Sequence, residues 1–487
     1  MSIKMKLSDI IEECGVKFGT SGARGLVTGL TDYVCYAYSL AFLQHLKSIG
    51  ESFNKVAIAG DLRPSTERIL KAVSVAVKDS DCELIYCGYT PSPALALYGI
   101  GRSIPTIMIT GSHIPDDRNG IKYNKCSGEI AKSDEAGIKS QNLDIPDYFK
   151  PDGSFKTAPS LPVLDTSAET EYIKRYTEVF PENYLAGKTV GIYQHSAVGR
   201  ELVSTLMRSL GAKTIELGFS DTFIPVDTEA IRPEDVELAA NWAKEHKLDI
   251  IVSTDGDSDR PLISNEKGKW FRGDILGVLT AKFLNAEAVA TPVSCNTAVE
   301  KCGYFKSIKR TRIGSPYVIA GMEEAVAEGS DSVVGYEANG GFLTATSFEL
   351  FGNTLGPLAT RDAILPMLAL LSLSIESGKA LSEIESELPS RFTASDRIQE
   401  FPTELSQAKL AQFENIEAIE EAFSLILSGV KSVDRTDGIR IEYENSEIIH
   451  LRPSGNAPEL RCYTEADSNK RAIELNQTVI NLMSTWK

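Results

Sequence analysis

Short apolar runs recur along the chain, and several are followed by a polar loop and then by apolar positions spaced as in a helix. Three segments share this order, and they begin at Lys55, Thr189 and Ala288. Strands that alternate with helices build mixed or parallel sheets covered by helices. We therefore interpret the three segments as the starts of three similar α/β units, with only weak sequence similarity between them.

The last part of the chain has a different pattern. An acidic, helix-like stretch at 414–423 precedes strand-like residues around 437–441, which predicts a small α+β domain. Polar or proline-rich stretches at 147–162, just after 261 and at 386–391 suggest domain boundaries. The sequence thus predicts an α/β protein, with three similar α/β domains of mixed sheets and a C-terminal α+β domain. The predicted domains are residues 1–155, 156–261, 262–388 and 389–487.

Composition and charge narrow the class of protein. The chain has 487 residues, of which 42% are hydrophobic and 24% charged, so it is long enough and apolar enough for several globular domains. A formal net charge of −17 argues against nucleic acid as a partner. It does not exclude phosphate ligands, because nearby positive groups outweigh distant charges that solvent screens.

Several features predict a cytoplasmic protein without a membrane partner. The eight cysteines are scattered with no CxxC spacing, as is typical of reduced thiols. The N-terminus lacks the apolar core of a signal peptide. The most apolar stretch, 363–375, is interrupted by Pro366 and is shorter than the roughly 20 residues that a membrane span needs.

The first candidate site follows the apolar run at 107–109, which predicts a buried strand ending in a loop that carries Ser112. Pro115 and the Asn119-Gly120 pair are expected to hold this loop out of regular structure. Proteins of the α/β class display nucleophiles and ligand sites at the carboxyl ends of strands. A Gly-Ser pair alone is usually a turn, so the interpretation of Ser112 as a functional residue depends on the other motifs described below.

A second strand-like run, at 248–253, leads into three carboxylates at alternating positions, Asp255, Asp257 and Asp259. Carboxylates spaced in this way in a loop can converge on one divalent cation, and their hard oxygen ligands favour Mg²⁺. Without a cation they would repel one another. The loop is therefore a candidate metal site.

Three other interpretations of this acidic loop stay open. A calcium loop would use Glu266 as its twelfth position, but Arg260 stands where that loop needs glycine, and a strand rather than a helix leads into it. An Asp-x-Asp phosphatase loop would use Asp255 as its nucleophile. A solvated acidic turn would have no ligand at all.

Two further loops carry groups suited to a sugar phosphate. In the glycine-rich loop at 333–341, Glu337 can accept hydrogen bonds from two adjacent hydroxyls. In the loop at 451–458, Arg452 and Ser454, with backbone N–H groups exposed by glycine, suit a dianionic phosphate. An ordinary turn is the alternative for both loops.

These four loops, in this order, resemble the serine, metal, sugar and phosphate loops of the α-D-phosphohexomutases, the family of the phosphomannomutases and phosphoglucomutases. The acidic loop follows the family's Asp-Gly-Asp-x-Asp-Arg pattern, and the stretches at 17–25 and 311–314 resemble two further family loops. The likeness thus spans nearly the whole chain. The sequence departs from the family at Asn339, Gly341 and Asn456, where Ser, His and Thr are usual.

The resemblance implies an intramolecular phosphotransferase that interconverts hexose 6-phosphate and hexose 1-phosphate, with the four domains arranged around a central cleft. Phosphorylated Ser112 would donate its phosphoryl group, form a hexose 1,6-bisphosphate and take back the other group. Mannose phosphates would be the preferred substrates, because the loops look most like those of bacterial phosphomannomutases. Phosphoglucomutase and phosphoglucosamine mutase activities are the alternatives within the family, and a phosphatase with an aspartate nucleophile is the alternative outside it.

The resemblance also implies cofactors, partners and roles for particular residues. Mg²⁺ would be held by Ser112, Asp255, Asp257 and Asp259, with hexose 1,6-bisphosphate as activator and a monomer or homodimer as the assembly. The expected catalytic residues are Ser112, Lys122 as the base, His113 as the second choice of base, and Arg24. The expected substrate-binding residues are Arg260, Arg312, Gly335, Glu337, Asn339, Arg452, Ser454, Gly455, Asn456 and Arg461.

Overall fold

The computed structural model describes residues 2–19, 22–454 and 458–486. Gly455 and Asn456 of the predicted phosphate loop lie outside the described residues. The chain divides into two compact units. The first unit comprises Met1–Leu284 and Asn339–Ser382, and the second comprises Asn285–Ala338 and Glu383–Lys487.

The N-terminal region of the first unit forms a mixed sheet with helices packed on it. Its elements are β1 Ser2–Lys6, α1 Leu7–Cys14, β2 Lys17–Phe18, β3 Gly22–Leu26, α2 Asp32–Ser48, β4 Lys55–Gly60, α3 Thr66–Asp79, β5 Glu83–Tyr89, α4 Ser92–Arg102, β6 Thr106–Ile109, β7 Arg118–Lys125, β8 Gly128–Glu129, α5 Lys132–Lys139 and β9 Asn142–Pro146. The strand order in the main sheet is β2-β3-β7-β6-β4-β5. Strand β4 is parallel to β5 and β6, whereas β7 is antiparallel to β3 and β6.

The next region of the first unit repeats the same plan on a smaller scale. Its elements are α6 Ser167–Thr177, β10 Thr189–His195, α7 Arg200–Ser209, β11 Lys213–Phe219, α8 Pro233–His246, β12 Ile250–Thr254, β13 Pro261–Ser264 and α9 Gly273–Phe283. The strand order is β11-β10-β12-β13, with β13 antiparallel to β12 and the other pairs parallel.

The third stretch of the chain contributes to both units. Its elements are β14 Ala288–Pro292, α10 Ala298–Lys301, β15 Ser307–Thr311, α11 Ser315–Ala327, β16 Val333–Tyr336, β17 Phe342–Thr344, β18 Phe348–Leu350, β19 Asn353–Leu355, β20 Leu358–Asp362, α12 Ile364–Ser377 and α13 Leu381–Ser386. In the second unit, β14 is parallel to both β15 and β16. In the first unit, β17 is antiparallel to β20, and β18 to β19.

The C-terminal region of the second unit is an antiparallel sheet with helices. Its elements are β21 Phe392–Ile398, α14 Thr403–Ala411, α15 Ile416–Phe423, β22 Val430–Asp434, β23 Ile439–Tyr443, β24 Ile448–Pro453, β25 Leu460–Ala466 and α16 Asn469–Ser484. The strand order is β21-β25-β24-β23-β22.

The predicted fold class is confirmed. The three predicted first strands are β4, β10 and β14, and each is followed by a helix, α3, α7 and α10. The last region combines an antiparallel sheet with helices, as an α+β domain does. The domain boundaries stay predictions.

The expectation that Asn119-Gly120 keeps its segment out of regular structure is wrong, because both residues lie in β7. A Cβ atom on Gly120 would lie 2.7 Å from the Ala23 carbonyl oxygen and 2.8 Å from that of Thr110. Glycine is needed here because the neighbouring backbone approaches closely, and not because the chain turns. As a result, β7 delivers Lys122 directly beside β6.

Helix α2 packs against β7 through buried side chains. The helix is apolar on most sides and largely buried, as expected for a core helix. Thr31 caps it by accepting a hydrogen bond from the Val34 amide at 3.3 Å, a contact worth about 1 kcal/mol. Phe42 stacks on Tyr123 of β7 with ring centroids 4.5 Å apart. Replacing this buried phenylalanine with alanine would cost about 3–5 kcal/mol and loosen the strand that carries Lys122.

The apolar stretch at 363–375 forms helix α12, and Pro366 does not break it. This proline stands in the first turn, where a helix has no use for its missing N–H group. No helix in the described part of the chain is long and apolar enough to cross a bilayer.

Candidate active site

Ser112 lies just beyond the carboxyl end of β6, and its side chain is fully buried. Its backbone is left-handed, with φ of 58°, which is uncommon for a residue other than glycine. The Ser112 amide donates to Thr110 Oγ1 at 2.7 Å. The hydroxyl donates to Asp255 Oδ2 at 2.6 Å, so two segments that are far apart in sequence meet at this oxygen.

The acidic loop follows β12, and all three of its carboxylates are buried. One oxygen of each of Asp255, Asp257 and Asp259 lies within 4.8 Å of the others. This burial rules out a solvated acidic turn. Glu266, which a calcium loop would need, instead accepts hydrogen bonds from the Ser382 amide and hydroxyl, and the strand β12 leads into the loop.

The donor set fits a hard divalent cation. Asp257 Oδ1 and Asp259 Oδ1 are buried and have no hydrogen-bond partner among the residues that the structure describes. Burial, together with repulsion from these two carboxylates, raises the pKa of Asp255 well above its usual range. A bound cation would remove both penalties, because it attracts all three carboxylates and fills the unused oxygen positions.

Lys122 of β7 reaches the same carboxylates. Its Nζ lies 2.5 Å from Asp257 Oδ2 and 2.7 Å from Asp259 Oδ2. Burial disfavours its charge, but these two carboxylates more than compensate and raise its pKa above the ordinary value. Lys122 is therefore an ammonium in this arrangement, and a role as base requires that it first leave the two carboxylates.

His113 is neutral in this arrangement. Arg260 Nη1 donates to His113 Nδ1 at 2.9 Å, and Ser112 Oγ lies 3.4 Å from the same nitrogen. Burial, with the Arg260 charge, lowers the pKa of His113 to about 3. Its Nε2 lies 3.9 Å from Asp227 Oδ2. The nitrogen nearest Ser112 thus already accepts a hydrogen bond from an arginine.

Arg24 stands on β3, opposite Gly120 of β7. Burial and repulsion from Arg260 lower its pKa to about 10, which leaves the guanidinium charged at neutral pH. Arg24, Arg260 and Lys122 together supply positive charge around the three carboxylates. Such a set suits a phosphoryl group beside Ser112.

Three residues join this site that the sequence did not indicate. Arg361 of β20 donates through Nε to Asp259 Oδ2 at 3.0 Å, and its Nη2 lies 2.9 Å from the same oxygen. Ser92, the first residue of α4, donates to Asp257 Oδ2 at 2.6 Å. Asp227 faces His113. No local pattern singles out Arg361, because its strand reads Leu-Ala-Thr-Arg-Asp.

In the second unit, the structure brings two predicted substrate loops together. Arg312, just after β15, donates from Nε to the Thr436 carbonyl at 3.1 Å. Asp437 Oδ2 accepts from the Ile313 amide at 3.0 Å and lies 2.8 Å from Arg452 Nε at the end of β24. Asp437 therefore orders both loops.

The predicted sugar-loop residues lie around the end of β16. Gly335 is part of the strand, and Glu337 is buried, which rules out an exposed turn. Asn339 belongs to the first unit, where its carbonyl accepts from the Thr228 hydroxyl at 2.7 Å and its Oδ1 from the Gly341 amide at 2.9 Å.

The phosphate loop leaves β24 beside a second arginine. Arg461 of β25 pairs in register with Arg452, and its Nη2 lies 3.3 Å from Glu459 Oε2. The Ser454 amide donates to the Glu459 carbonyl at 2.8 Å. Two guanidinium groups thus start from neighbouring strand positions at the entrance of this loop.

His195, at the end of β10, contacts the backbone just before the acidic loop, and its burial should make the fold less stable in acid. Its Nε2 donates to the carbonyl of Thr254 at 2.8 Å, one residue before Asp255. Burial lowers the pKa of His195 to about 4 from 6.5, so the unfolded chain binds a proton here that the folded chain does not. As pH falls from 6.5 to 4, folding should lose about 3 kcal/mol at this group.

The measurement is thermal unfolding followed by tryptophan fluorescence in a Trp486→Phe background. The chain's other two tryptophans, Trp242 and Trp270, lie in the region that contains His195. His195→Gln should lose less stability than the parent between pH 6.5 and 4.5. Equal losses in the two proteins would contradict the prediction.

Family models match nearly the whole chain. Residues 15–147, 170–268 and 272–392 match the phosphoglucomutase/phosphomannomutase alpha/beta/alpha domains I, II and III, and residues 402–482 match the C-terminal domain of the same family. The chain therefore belongs to the phosphoglucomutase/phosphomannomutase family. Its enzyme class is phosphohexomutase, as its sequence motifs predict.

Individual similar proteins support the same family assignment. A phosphomannomutase from Salmonella muenchen is 44% identical, over 97% of this chain and 96% of its own. One from Sinorhizobium fredii is 41% identical, over 95% and 97%. A phosphoglucosamine mutase from Methanococcus vannielii is 25% identical, over 96% and 98%. The structure of a phosphoglucomutase/phosphomannomutase family protein from Burkholderia thailandensis shares the fold with a TM-score of 0.74 at 18% identity, covering 99% of this chain and 98% of its own.

Proposed function

We propose that this phosphohexomutase interconverts hexose 6-phosphate and hexose 1-phosphate through a phosphoserine at Ser112, with mannose phosphates as its preferred substrates. The observation that carries the proposal is the buried Ser112 hydroxyl, which donates to Asp255 within a group of three buried carboxylates. The mannose preference is supported by the two phosphomannomutases at 44% and 41% identity, far above the phosphoglucosamine mutase at 25%.

The carboxylates explain how the serine could exchange a phosphoryl group. Asp255, Asp257 and Asp259, with an oxygen at Ser112, would hold Mg²⁺, which when bound neutralises charge on the transferring group. The protein itself contributes position and positive charge. Arg24 and Arg260 would face the phosphoryl oxygens, and a preorganised site costs no rearrangement when charge develops.

The sugar hydroxyl that attacks phosphoserine must lose its proton. Lys122 is the proposed base, and it would act after its ammonium leaves Asp257 and Asp259 and gives up a proton. His113 is the second choice, because its Nδ1 already accepts from Arg260. In either case the P–O bond to Ser112 breaks as the bond to the sugar oxygen forms. The serine oxygen leaves as an alkoxide, which then takes the proton that the base removed from the sugar hydroxyl.

The phosphate at the other end of the substrate needs its own binding site. Arg452, Ser454 and Arg461, with Gly455 and Asn456, are proposed to hold the phosphate that is not transferred. The proposed sugar contacts are Arg312, Gly335, Glu337 and Asn339. After the first transfer, hexose 1,6-bisphosphate would turn end over end and return its other phosphoryl group to Ser112. The same compound would phosphorylate Ser112 in enzyme that lacks phosphoserine and would therefore act as an activator.

The phosphatase alternative would use Asp255 as nucleophile. Both oxygens of that carboxylate already accept hydrogen bonds, Oδ2 from Ser112 and Oδ1 from the Asp259 and Arg260 amides at 3.2 Å. These contacts favour a ligand role over attack on phosphorus.

The test is a side-by-side assay of mannose 1-phosphate, glucose 1-phosphate and glucosamine 1-phosphate with Mg²⁺ and a trace of hexose 1,6-bisphosphate. We expect turnover of the mannose and glucose compounds, with mannose faster. Glucosamine phosphate as the best substrate would overturn the sugar assignment. Release of inorganic phosphate without isomerised product would instead support the phosphatase.

Arg452→Ala is predicted to raise the KM for hexose phosphate by roughly 10- to 100-fold, because charge-assisted hydrogen bonds to phosphate are worth about 1.5–3 kcal/mol. Ser112 should still accept a phosphoryl group from hexose 1,6-bisphosphate supplied in excess. Initial-rate kinetics and intact-protein mass spectrometry measure the two effects.

The matched control is Arg471→Ala, since Arg471 lies in the same C-terminal region and pairs with Glu447 at 2.6 Å. Its KM should stay at the parent value. Loss of Ser112 phosphorylation with an unchanged KM in Arg452→Ala would reverse the assignment of the two phosphate positions.

A further inference from the structure

Arg63 is a buried arginine, and the loop that carries Ser112 wraps around its guanidinium. Arg63 lies between β4 and α3, and its side chain has no solvent exposure. A guanidinium has five N–H donors, and all five are used here. Nε donates to Asp61 Oδ2 at 3.1 Å. The other four donate to backbone carbonyl oxygens of the serine loop: Nη1 to Pro115 at 2.7 Å and Arg118 at 3.0 Å, and Nη2 to Ser112 at 2.8 Å and Ile114 at 2.6 Å.

The loop is shaped to admit this guanidinium. A Cβ atom on Gly111 would lie 2.6 Å from Arg63 Cζ, so any other residue there would push the arginine out. On another side the Phe223 ring covers the guanidinium, with Cζ 4.1 Å from the ring centroid. One side chain therefore donates to four carbonyls of this loop, including the buried carbonyl of Ser112.

Asp61 extends the same network to the serine amide. Its Oδ2 accepts from the Thr110 hydroxyl at 2.7 Å, and Thr110 Oγ1 accepts from the Ser112 amide at 2.7 Å. Ser112 is thus held at its carbonyl by Arg63 and at its amide through Thr110. Its left-handed backbone persists only if the surroundings enforce it.

We propose that Arg63 is a positioning residue that holds Ser112 in the conformation needed for phosphoryl transfer, without touching the substrate. All its donors are already engaged, so none is left for a phosphate. This inference rests on the proposed phosphoserine mechanism. Lysine cannot replace the arginine, because an ammonium has three donors on one atom and cannot reach acceptors spread around a planar fork.

The test compares Arg63→Lys with Arg68→Lys. Arg68, on α3 in the same region, donates to the Asp32 carboxylate and the Leu30 carbonyl, both of which lie outside the serine loop. We expect Arg63→Lys to lower kcat by about 100-fold, as a misplaced reacting group does, with KM nearly unchanged. Phosphate transfer from hexose 1,6-bisphosphate to Ser112 should slow by a similar factor, and amides at 111–118 should exchange hydrogen faster. Arg68→Lys should change none of these.

Three outcomes would overturn the inference: parental kcat in folded Arg63→Lys, a raised KM with unchanged kcat, or equal effects in Arg68→Lys. If Arg63→Lys does not fold, Thr110→Val decides by the same readouts, since it removes only the hydroxyl between Asp61 and the Ser112 amide. Failure of the parent protein to become phosphorylated at Ser112 would refute the proposed mechanism itself, which separates the two ideas.

Discussion

Replacing Ser112 with alanine is expected to lower mutase activity by about 10⁴-fold or more, because loss of a nucleophile removes the covalent route altogether. The fold should survive, since the change removes one oxygen, which donates to Asp255 and lies 3.4 Å from His113 Nδ1. The measurement is turnover of mannose 1-phosphate and glucose 1-phosphate, together with mass spectrometry of the protein after incubation with hexose 1,6-bisphosphate. The parent should gain one phosphoryl group, on the peptide that contains residue 112.

Ser39→Ala is the matched control. Ser39 is a buried serine of the same region, on α2, and it donates to the Cys35 carbonyl at 2.9 Å. It should retain parental activity. Hydroxylamine adds a chemical check, because it cleaves a phosphate carried by aspartate and leaves phosphoserine intact. A label in the parent that hydroxylamine removes, or one that persists in Ser112→Ala, would place the phosphoryl group on a carboxylate such as Asp255.

Asp257→Asn should have the second largest effect, a fall in kcat of about 10²- to 10³-fold with a higher Mg²⁺ requirement. The amide keeps the shape of the side chain and can still accept from Ser92 Oγ, which lies 2.6 Å from Asp257 Oδ2. It removes the negative charge that faces Lys122 and the proposed cation. Rates measured across a Mg²⁺ titration give both quantities, and the melting temperature reports on the fold.

Glu266→Gln serves as the control for this loop. Glu266 is the residue that a calcium loop would use, and it accepts hydrogen bonds from Ser382. Its Mg²⁺ dependence should match that of the parent. The three-aspartate assignment fails if Asp257→Asn keeps the parental Mg²⁺ dependence, or if Glu266→Gln raises the Mg²⁺ requirement as much as Asp257→Asn does.

The strands that carry the site were predictable because each is a short apolar run that ends in a polar loop. The run at 107–109 falls within β6, and the run at 248–253 largely coincides with β12. Asn119-Gly120 misled because the pair favours turns in isolation, whereas here the close approach of neighbouring backbone requires the glycine. Local preference gave way to tertiary packing.

The supporting residues of the site could not be predicted in the same way. Arg361 is 102 residues from its partner Asp259, and Ser92 is 165 residues from Asp257. Neither stands in a local motif, and only the folded chain brings these pairs together. The nucleophile and the carboxylates were recognisable because their chemistry is concentrated in short loops, whereas the groups that orient them are dispersed.

Two glycines of the first unit owe their identity to a distant arginine. A Cβ on Gly111 would strike Arg63, and a Cβ on Gly341 would lie 2.6 Å from Arg361 Cδ, although neither glycine has a positive φ. A methyl group at either glycine would fit only if the arginine beside it were replaced by a smaller residue, so substitutions at the two positions of a pair should depend on each other. Among descendants of such a chain, we expect the two positions of each pair to change together or not at all.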